Sequence, residues 1–96
     1  MSPAEAKRLI SQIASESGRV FIIPHAQSQM ERRGIDRLDV QRCLINGTIE
    51  EGPYIHNIAS TNWRVRIAGS ISGEMVRVVA EIAESNAEQV IVITAF

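Results

Sequence analysis

The sequence predicts an α+β domain in which three helices pack on an antiparallel sheet of four to five strands. Apolar residues recur at helical spacing in the first half of the chain, and they alternate with polar residues through most of the second half. Helical and extended segments follow in the order α-β-α-α-β-β-β-β, with no linker between them. The 96 residues, 45% of them apolar, suit one compact core, so residues 1–96 are expected to form a single domain.

The first helix is predicted at residues 2–16. Ser2 is a capping residue, a proline follows at the first helical position, and Glu5 stands three residues after the cap. Apolar residues at helical spacing form its buried face: Ala6, Leu9, Ile10 and Ile13. The run at 19–23 is short, apolar and rich in β-branched residues, which predicts a brief strand that the next proline ends.

Two further helices are predicted before the chain becomes extended. The second begins at Pro24 and ends at Gly34, and an apolar stripe of Ala26 and Met30 docks it on the core. The third is capped by Asp36, with a second carboxylate in its first turn. Its end is marked by Gly47, a residue suited to the left-handed conformation that often follows a helix.

The second half of the chain is predicted to be mainly extended. The expected segments are an irregular or edge strand at 48–57, a strand at 62–68, a hairpin loop at 69–73, a strand at 74–83, a turn at 85–88 and a strand at 89–96. Arg64 and Arg66 lie on the polar face of their strand. The last strand is apolar on both faces, which is typical of a central strand covered on both sides or of one edge of an interface.

Composition and motif content exclude several classes of protein. The net charge of −1 argues against a general nucleic-acid coating protein, and no apolar run approaches the ~20 residues that span a bilayer. The single cysteine, Cys43, excludes an internal disulfide and is expected in the core. No metal-ligand spacing, phosphate loop or dinucleotide fingerprint is present. We therefore expect a cytoplasmic protein with no metal, no cofactor and no membrane contact.

The second predicted helix carries the strongest chemical signal. At 100° per residue, His25 and Arg32 lie only about 20° apart in azimuth and roughly 10 Å apart along the axis, and Arg33 lies about 80° from His25. Histidine exchanges a proton near neutral pH, whereas arginine keeps its charge and holds phosphate with two hydrogen bonds. One rim of this helix therefore combines a titratable base with fixed cations.

Six segments of the chain resemble domain-of-unknown-function family 4258 over about residues 20–96. They are HA…MERRGI at 25–35, DV at 39–40, GTIE at 47–50, RVR at 64–66 and the pair VVAE at 78–81 and VITAF at 92–96. That family looks like a branch of the RelE/MqsR-like and barnase/EndoU-like small RNase folds, many of whose members are toxins of toxin–antitoxin pairs. The resemblance implies a RelE/barnase-like core at 20–96, preceded by a helical extension at 1–17.

The resemblance implies a metal-independent endoribonuclease or RNase-like toxin. Such cleavage needs a group that takes the proton of the 2′-hydroxyl, cations for the charge that develops on phosphate, and a proton donor for the leaving oxygen. The predicted catalytic residues are His25, Arg33, Arg64 and Glu81. The predicted RNA-binding residues are Arg32, Arg66, Arg77 and Thr94. Expected partners are RNA, including ribosome-associated mRNA, and a cognate antitoxin protein, with a homodimer through the last strand as the alternative.

Each of these residues also has a structural explanation. His25 can cap the start of its helix, and Thr94 can serve only as a residue that favours strands. Arg64 and Arg66 can solvate an exposed sheet face, with Glu81 paired across strands to an arginine such as Arg66. The matching alternative for the whole protein is a non-catalytic module that binds RNA or protein on the same fold. The enzyme hypothesis places at least one of the two strand arginines close to His25, whereas the alternative places them on a remote face.

Overall fold

A computed structural model describes residues 1–55, 62–83 and 88–96 of the chain. It confirms the α+β class and the predicted order of elements. The helices and strands are α1 (Pro3–Ala14), β1 (Val20–Ile22), α2 (Pro24–Arg33), α3 (Arg37–Asn46), β2 (Thr48–Ile55), β3 (Asn62–Ile71), β4 (Glu74–Ala83) and β5 (Val90–Ala95). A short 3₁₀ turn, Ser17–Arg19, joins α1 to β1. The predicted turn at 85–88 falls mostly outside the described residues, as does the end of the strand predicted at 48–57.

The five strands form one mixed sheet in the order β1-β5-β4-β3-β2. The prediction of an antiparallel sheet was wrong at one pair, because β1 runs parallel to β5, with Val20 opposite Val90. A parallel pair requires a crossover, and the segment from α2 to β4, which lies between these two strands in the chain, supplies it. The remaining neighbours are antiparallel, and β5 takes a position inside the sheet.

The core lies between one face of the sheet and the helices. Buried residues alternate along β4, so one face of that strand is covered and the other remains partly open. Helices α1 and α3 contact the strands and each other, whereas α2 contacts mainly β5. The last strand is buried on one face and half-buried on the other, so its apolar sequence reflects an interior position in the sheet. Among the described residues, no helix is long and apolar enough to cross a membrane.

Local signals set the helix ends largely as predicted. The Ser2 hydroxyl accepts the backbone N–H of Glu5 at 3.1 Å, which caps α1. Asp36 and Asp39 form a reciprocal capping box at the start of α3. Gly34 ends α2 in the left-handed conformation, with φ at 68°. These contacts satisfy backbone groups that helix ends leave unpaired.

Gly47 ends α3 for a different reason from the one predicted. Its backbone is extended, with φ −74° and ψ 177°, so the left-handed prediction was wrong. A Cβ atom built at this position would lie 2.5 Å from the carbonyl oxygen of Cys43 and 2.6 Å from that of Ala68. Glycine is therefore required here because α3 ends against β3 with no room for a side chain.

The hairpin between β3 and β4 is tighter than predicted. The strands continue to Ile71 and from Glu74, and the turn consists of Ser72 and Gly73 alone. Both residues have positive φ, 52° and 82°, which is typical of a type I′ turn. The expected five-residue loop was wrong because residues 69–71 pair within the sheet.

Lys7 joins α1 to the end of α3. Its ammonium group donates to the carbonyl oxygen of Ile45 at 2.5 Å and to that of Leu44 at 3.3 Å. Burial lowers the pKa of Lys7. Cys43 lies in the core as predicted, and burial raises the pKa of its thiol to about 11, against an opposing effect of Lys7.

Candidate functional site

The face of the sheet turned away from the buried core, called the open face below, collects most of the residues predicted on strands. Strand pairing sets these residues in rows that cross the sheet. One row is Phe21, Ile91, Glu81, Arg64 and Tyr54. A second is Thr94, Val79, Arg66 and Glu51, and a third is Phe96, Arg77, Ala68 and Thr48. The structure therefore brings together four charged residues predicted from the sequence.

Arg64 and Glu81 form a close ion pair on the open face. The Nε and Nη2 atoms of Arg64 donate to one oxygen of Glu81 at 2.9 and 2.5 Å. Their side chains are only 19% and 13% exposed. Asn62 donates to the other carboxylate oxygen of Glu81 at 3.3 Å. The expected partner of Glu81, Arg66, was wrong because Glu81 lies directly opposite Arg64 in the sheet.

Arg66 and Arg77 share a second set of carboxylates. Glu50 accepts from the Nε atom of each arginine at 3.1 Å, and Glu51 lies 3.2 Å from Arg66 Nη1. The hydrogen bond from Arg77 is the main cause that holds the pKa of Glu50 below its usual value. The glutamates come from an irregular stretch of β2, where the pairing register shifts. The three arginines on this face are thus each paired with a carboxylate.

The Arg64–Glu81 pair gives a direct test of electrostatics on the open face. We expect Glu81→Ala to lower the free energy of unfolding by about 2 kcal/mol, because it leaves a half-buried guanidinium without its partner. The double variant with Arg64→Met should lose less than the sum of the single losses. Urea denaturation of the four proteins measures this coupling. Additive losses would mean that the pair contributes nothing beyond its separate side chains.

His25 lies in the first turn of α2 with its side chain exposed. Within the described residues it makes no hydrogen bond or ion pair, and the residue at the cap position is Ile23, which has no side-chain cap bond. The proposed capping role of His25 is therefore not observed among these contacts. Its imidazole is accessible to a bound molecule.

Gln29 fastens α2 to β5. Its side-chain oxygen accepts the hydroxyl of Thr94 and the backbone N–H of Ala95, the latter at 3.3 Å. Thr94, predicted to bind RNA, thus has an internal hydrogen-bond partner. No contact of Gln29 was predicted from the sequence, although this residue lies one turn after His25 on the same side of the helix.

A small cleft lies where the end of α2 meets the end of β5. Its volume is about 210 Å³, and its lining residues are Gln29, Arg32, Arg33, Ala95 and Phe96. Neither Arg32 nor Arg33 forms an ion pair with any described residue. The arginines of the open face differ in this respect, because each of them forms an ion pair with a carboxylate. Sequence reasoning missed Phe96 as part of a site, because its position beside α2 depends on the sheet order.

The predicted catalytic set is distributed over two neighbouring regions. His25 and Arg33 lie on α2, which packs on β5, whereas Arg64 and Glu81 lie on β3 and β4. β3 is two positions from β5 in the sheet, which corresponds to about 10 Å. The described residues contain no group of three His, Cys, Asp or Glu side chains placed to hold a metal.

Comparison with known proteins gives one family. A family model described as a domain of unknown function, DUF4258, matches residues 22–96 and so begins inside β1, after α1. The match includes every residue predicted to act in the site. No curated protein and no solved structure matches the chain significantly.

Proposed function

The chain belongs to the DUF4258 family, and on that premise we propose that it is a small metal-independent endoribonuclease. The observation that carries this proposal is the composition of α2. One helix presents an accessible imidazole at its start and, at its end, two arginines that form no ion pair with the described residues. Among the described side chains, these groups combine a proton carrier with cations available for phosphate.

The chemistry follows from these groups. His25 takes the proton of a ribose 2′-hydroxyl, the freed oxygen bonds to the adjacent phosphorus, and the bond from phosphorus to the 5′-oxygen breaks. The leaving oxygen must gain a proton, which the imidazolium can return or a water can supply. Arg32 and Arg33 stabilise the charge on the phosphate oxygens during this step. Glu81 orients Arg64, which keeps N–H groups for a neighbouring phosphate because its pair with Glu81 uses only two of its five donors.

The biological setting belongs to the same proposal. The resemblance described above supports a RelE/MqsR-like toxin that acts on RNA in the cytoplasm and is neutralised by an antitoxin protein. One face of β4 remains partly open, so an antitoxin has a surface to cover. A neighbouring small reading frame that suppresses toxicity when expressed with this gene would support this setting.

The decisive experiment is cleavage of single-stranded RNA by the purified chain in excess EDTA. We expect product with a 2′,3′-cyclic phosphate end, together with slower growth of cells in which the chain is induced. EDTA should leave the rate unchanged, since no metal takes part in the proposed step. Folded protein that neither cleaves RNA nor slows growth would overturn the enzyme proposal.

A second candidate is a non-catalytic module that binds RNA or protein. The pairing of Arg64, Arg66 and Arg77 with carboxylates favours it over catalysis, because these ion pairs offset the positive charge that the sheet offers to a reacting phosphate. Binding of RNA that persists without any cleavage would select this candidate. Binding that is lost above about 0.2 M salt would identify phosphate contacts as its basis.

A further inference from the structure

The cleft between α2 and β5 has the chemistry of an anion site. Its side chains with polar atoms are Gln29, Arg32 and Arg33, and its other lining residues are Ala95 and Phe96. A guanidinium donates hydrogen bonds and accepts none. No Asp or Glu side chain lines the cleft, and no described carboxylate forms an ion pair with either arginine. The two positive charges are therefore available to a ligand.

The orientation of Gln29 adds a third donor. The backbone N–H of Ala95 can only donate, so the atom it contacts in Gln29 must be the carbonyl oxygen. The hydroxyl of Thr94 bonds the same oxygen. The amide NH₂ group of Gln29 is thus directed away from these partners, and it forms no hydrogen bond with the described residues. Donors from three side chains border a space of about 210 Å³.

We infer that this cleft holds a terminal phosphate monoester of a single-stranded RNA, with the adjoining base against Phe96. A phosphate monoester carries close to two negative charges at neutral pH, which matches two guanidiniums better than the single charge of an internal phosphodiester. Phe96 is 37% exposed and supplies an aromatic surface beside the arginines. Bases stack on such rings with little preference for sequence. The inference rests on the proposed function only in taking RNA as the ligand.

The test compares two oligonucleotides that the protein cannot cleave. Hexamers of 2′-O-methyl uridine lack the nucleophilic hydroxyl, and one carries a 5′-phosphate while the other carries a 5′-hydroxyl. Fluorescence anisotropy with a 3′ label, in EDTA, measures both affinities. We expect the phosphorylated hexamer to bind about tenfold more tightly, because two charge-assisted contacts depend on its terminal group.

Substitutions in the cleft test whether its residues cause the preference for the phosphorylated hexamer. The double variant Arg32→Gln with Arg33→Gln should bind the two hexamers equally, and Phe96→Ala should weaken both about fivefold or more. The matched control is Arg8→Gln, which removes an exposed helical arginine from α1 and should keep the tenfold preference. Urea denaturation of each variant identifies loss of the fold, because these arginines also lie at the end of a helix, where cations favour the dipole.

Two results would overturn the inference. One is equal binding of the two hexamers by the unmodified chain, and the other is a phosphate preference that survives the double arginine substitution. Because the hexamers cannot be cleaved, this outcome is independent of catalysis. A phosphate preference without cleavage of ordinary RNA would support the phosphate site in the cleft and contradict the endoribonuclease proposal. Cleavage of ordinary RNA without the preference would support the endoribonuclease proposal and contradict the phosphate site.

Discussion

Replacement of His25 by alanine is expected to lower the rate of RNA cleavage by about 10²–10⁴-fold. This is the usual contribution of a positioned acid or base to proton transfer. The side chain is exposed and lies in the first turn of α2, so its removal disturbs no packing in the described structure. RNA affinity and the free energy of unfolding should therefore change little, and the loss should appear in the chemical step.

Single-turnover cleavage of a labelled RNA, with protein in excess, measures that step directly. The matched control is Gln27→Ala, which truncates another exposed polar residue of α2 and should cleave at the unmodified rate. Binding is measured separately on a 2′-O-methyl strand. If His25→Ala lowers the cleavage rate by less than tenfold and RNA binding is unchanged, His25 is not the proton carrier.

Gly47→Ala is expected to lower the free energy of unfolding by about 3 kcal/mol or more. The added methyl group would lie 2.5 Å from one backbone carbonyl oxygen, 2.6 Å from another, and 2.7 Å from the side chain of Ile67. Two of these neighbours are main-chain atoms of α3 and β3, which cannot move without displacing a helix end or a strand. A change of this size in a domain of 96 residues corresponds to a decrease in melting temperature of more than about 10 °C.

Gly18→Ala is the matched control for this substitution. A Cβ atom at Gly18 meets no atom within 4 Å, so the variant should be as stable as the unmodified chain or slightly more stable. Urea denaturation of both variants gives the comparison. Similar stabilities for the two alanine variants would mean that α3 and β3 separate at low cost and that the close approach at Gly47 is unimportant.

Local chemistry allowed most elements to be predicted from the sequence. Helix caps at Ser2 and Asp36 and the left-handed Gly34 depend only on residues a few positions away. The alternation of residues along β3 and β4 likewise identified the face that carries Arg64 and Glu81. These predictions required no knowledge of which strands are neighbours.

Pairing between strands could not be predicted with the same security. The two-residue turn at Ser72 and Gly73 sets Glu81 opposite Arg64, whereas moving its centre by one residue would set Glu81 opposite Arg66. One position in a turn therefore decided which arginine is neutralised. The cleft was missed for a related reason, because Phe96 reaches Arg32 and Arg33 only through the placement of β5 beside α2.

The position of β5 inside the sheet has a consequence for synthesis on the ribosome. β1 pairs only with β5, and β5 also pairs with β4, so the sheet remains divided until residues 90–95 have been made. At 5–20 residues per second the N-terminal segments wait several seconds for that strand. A nascent chain therefore lacks the complete α2–β5 cleft until residues 90–95 have been made. Binding of a ligand in this cleft therefore has to follow synthesis of the last strand.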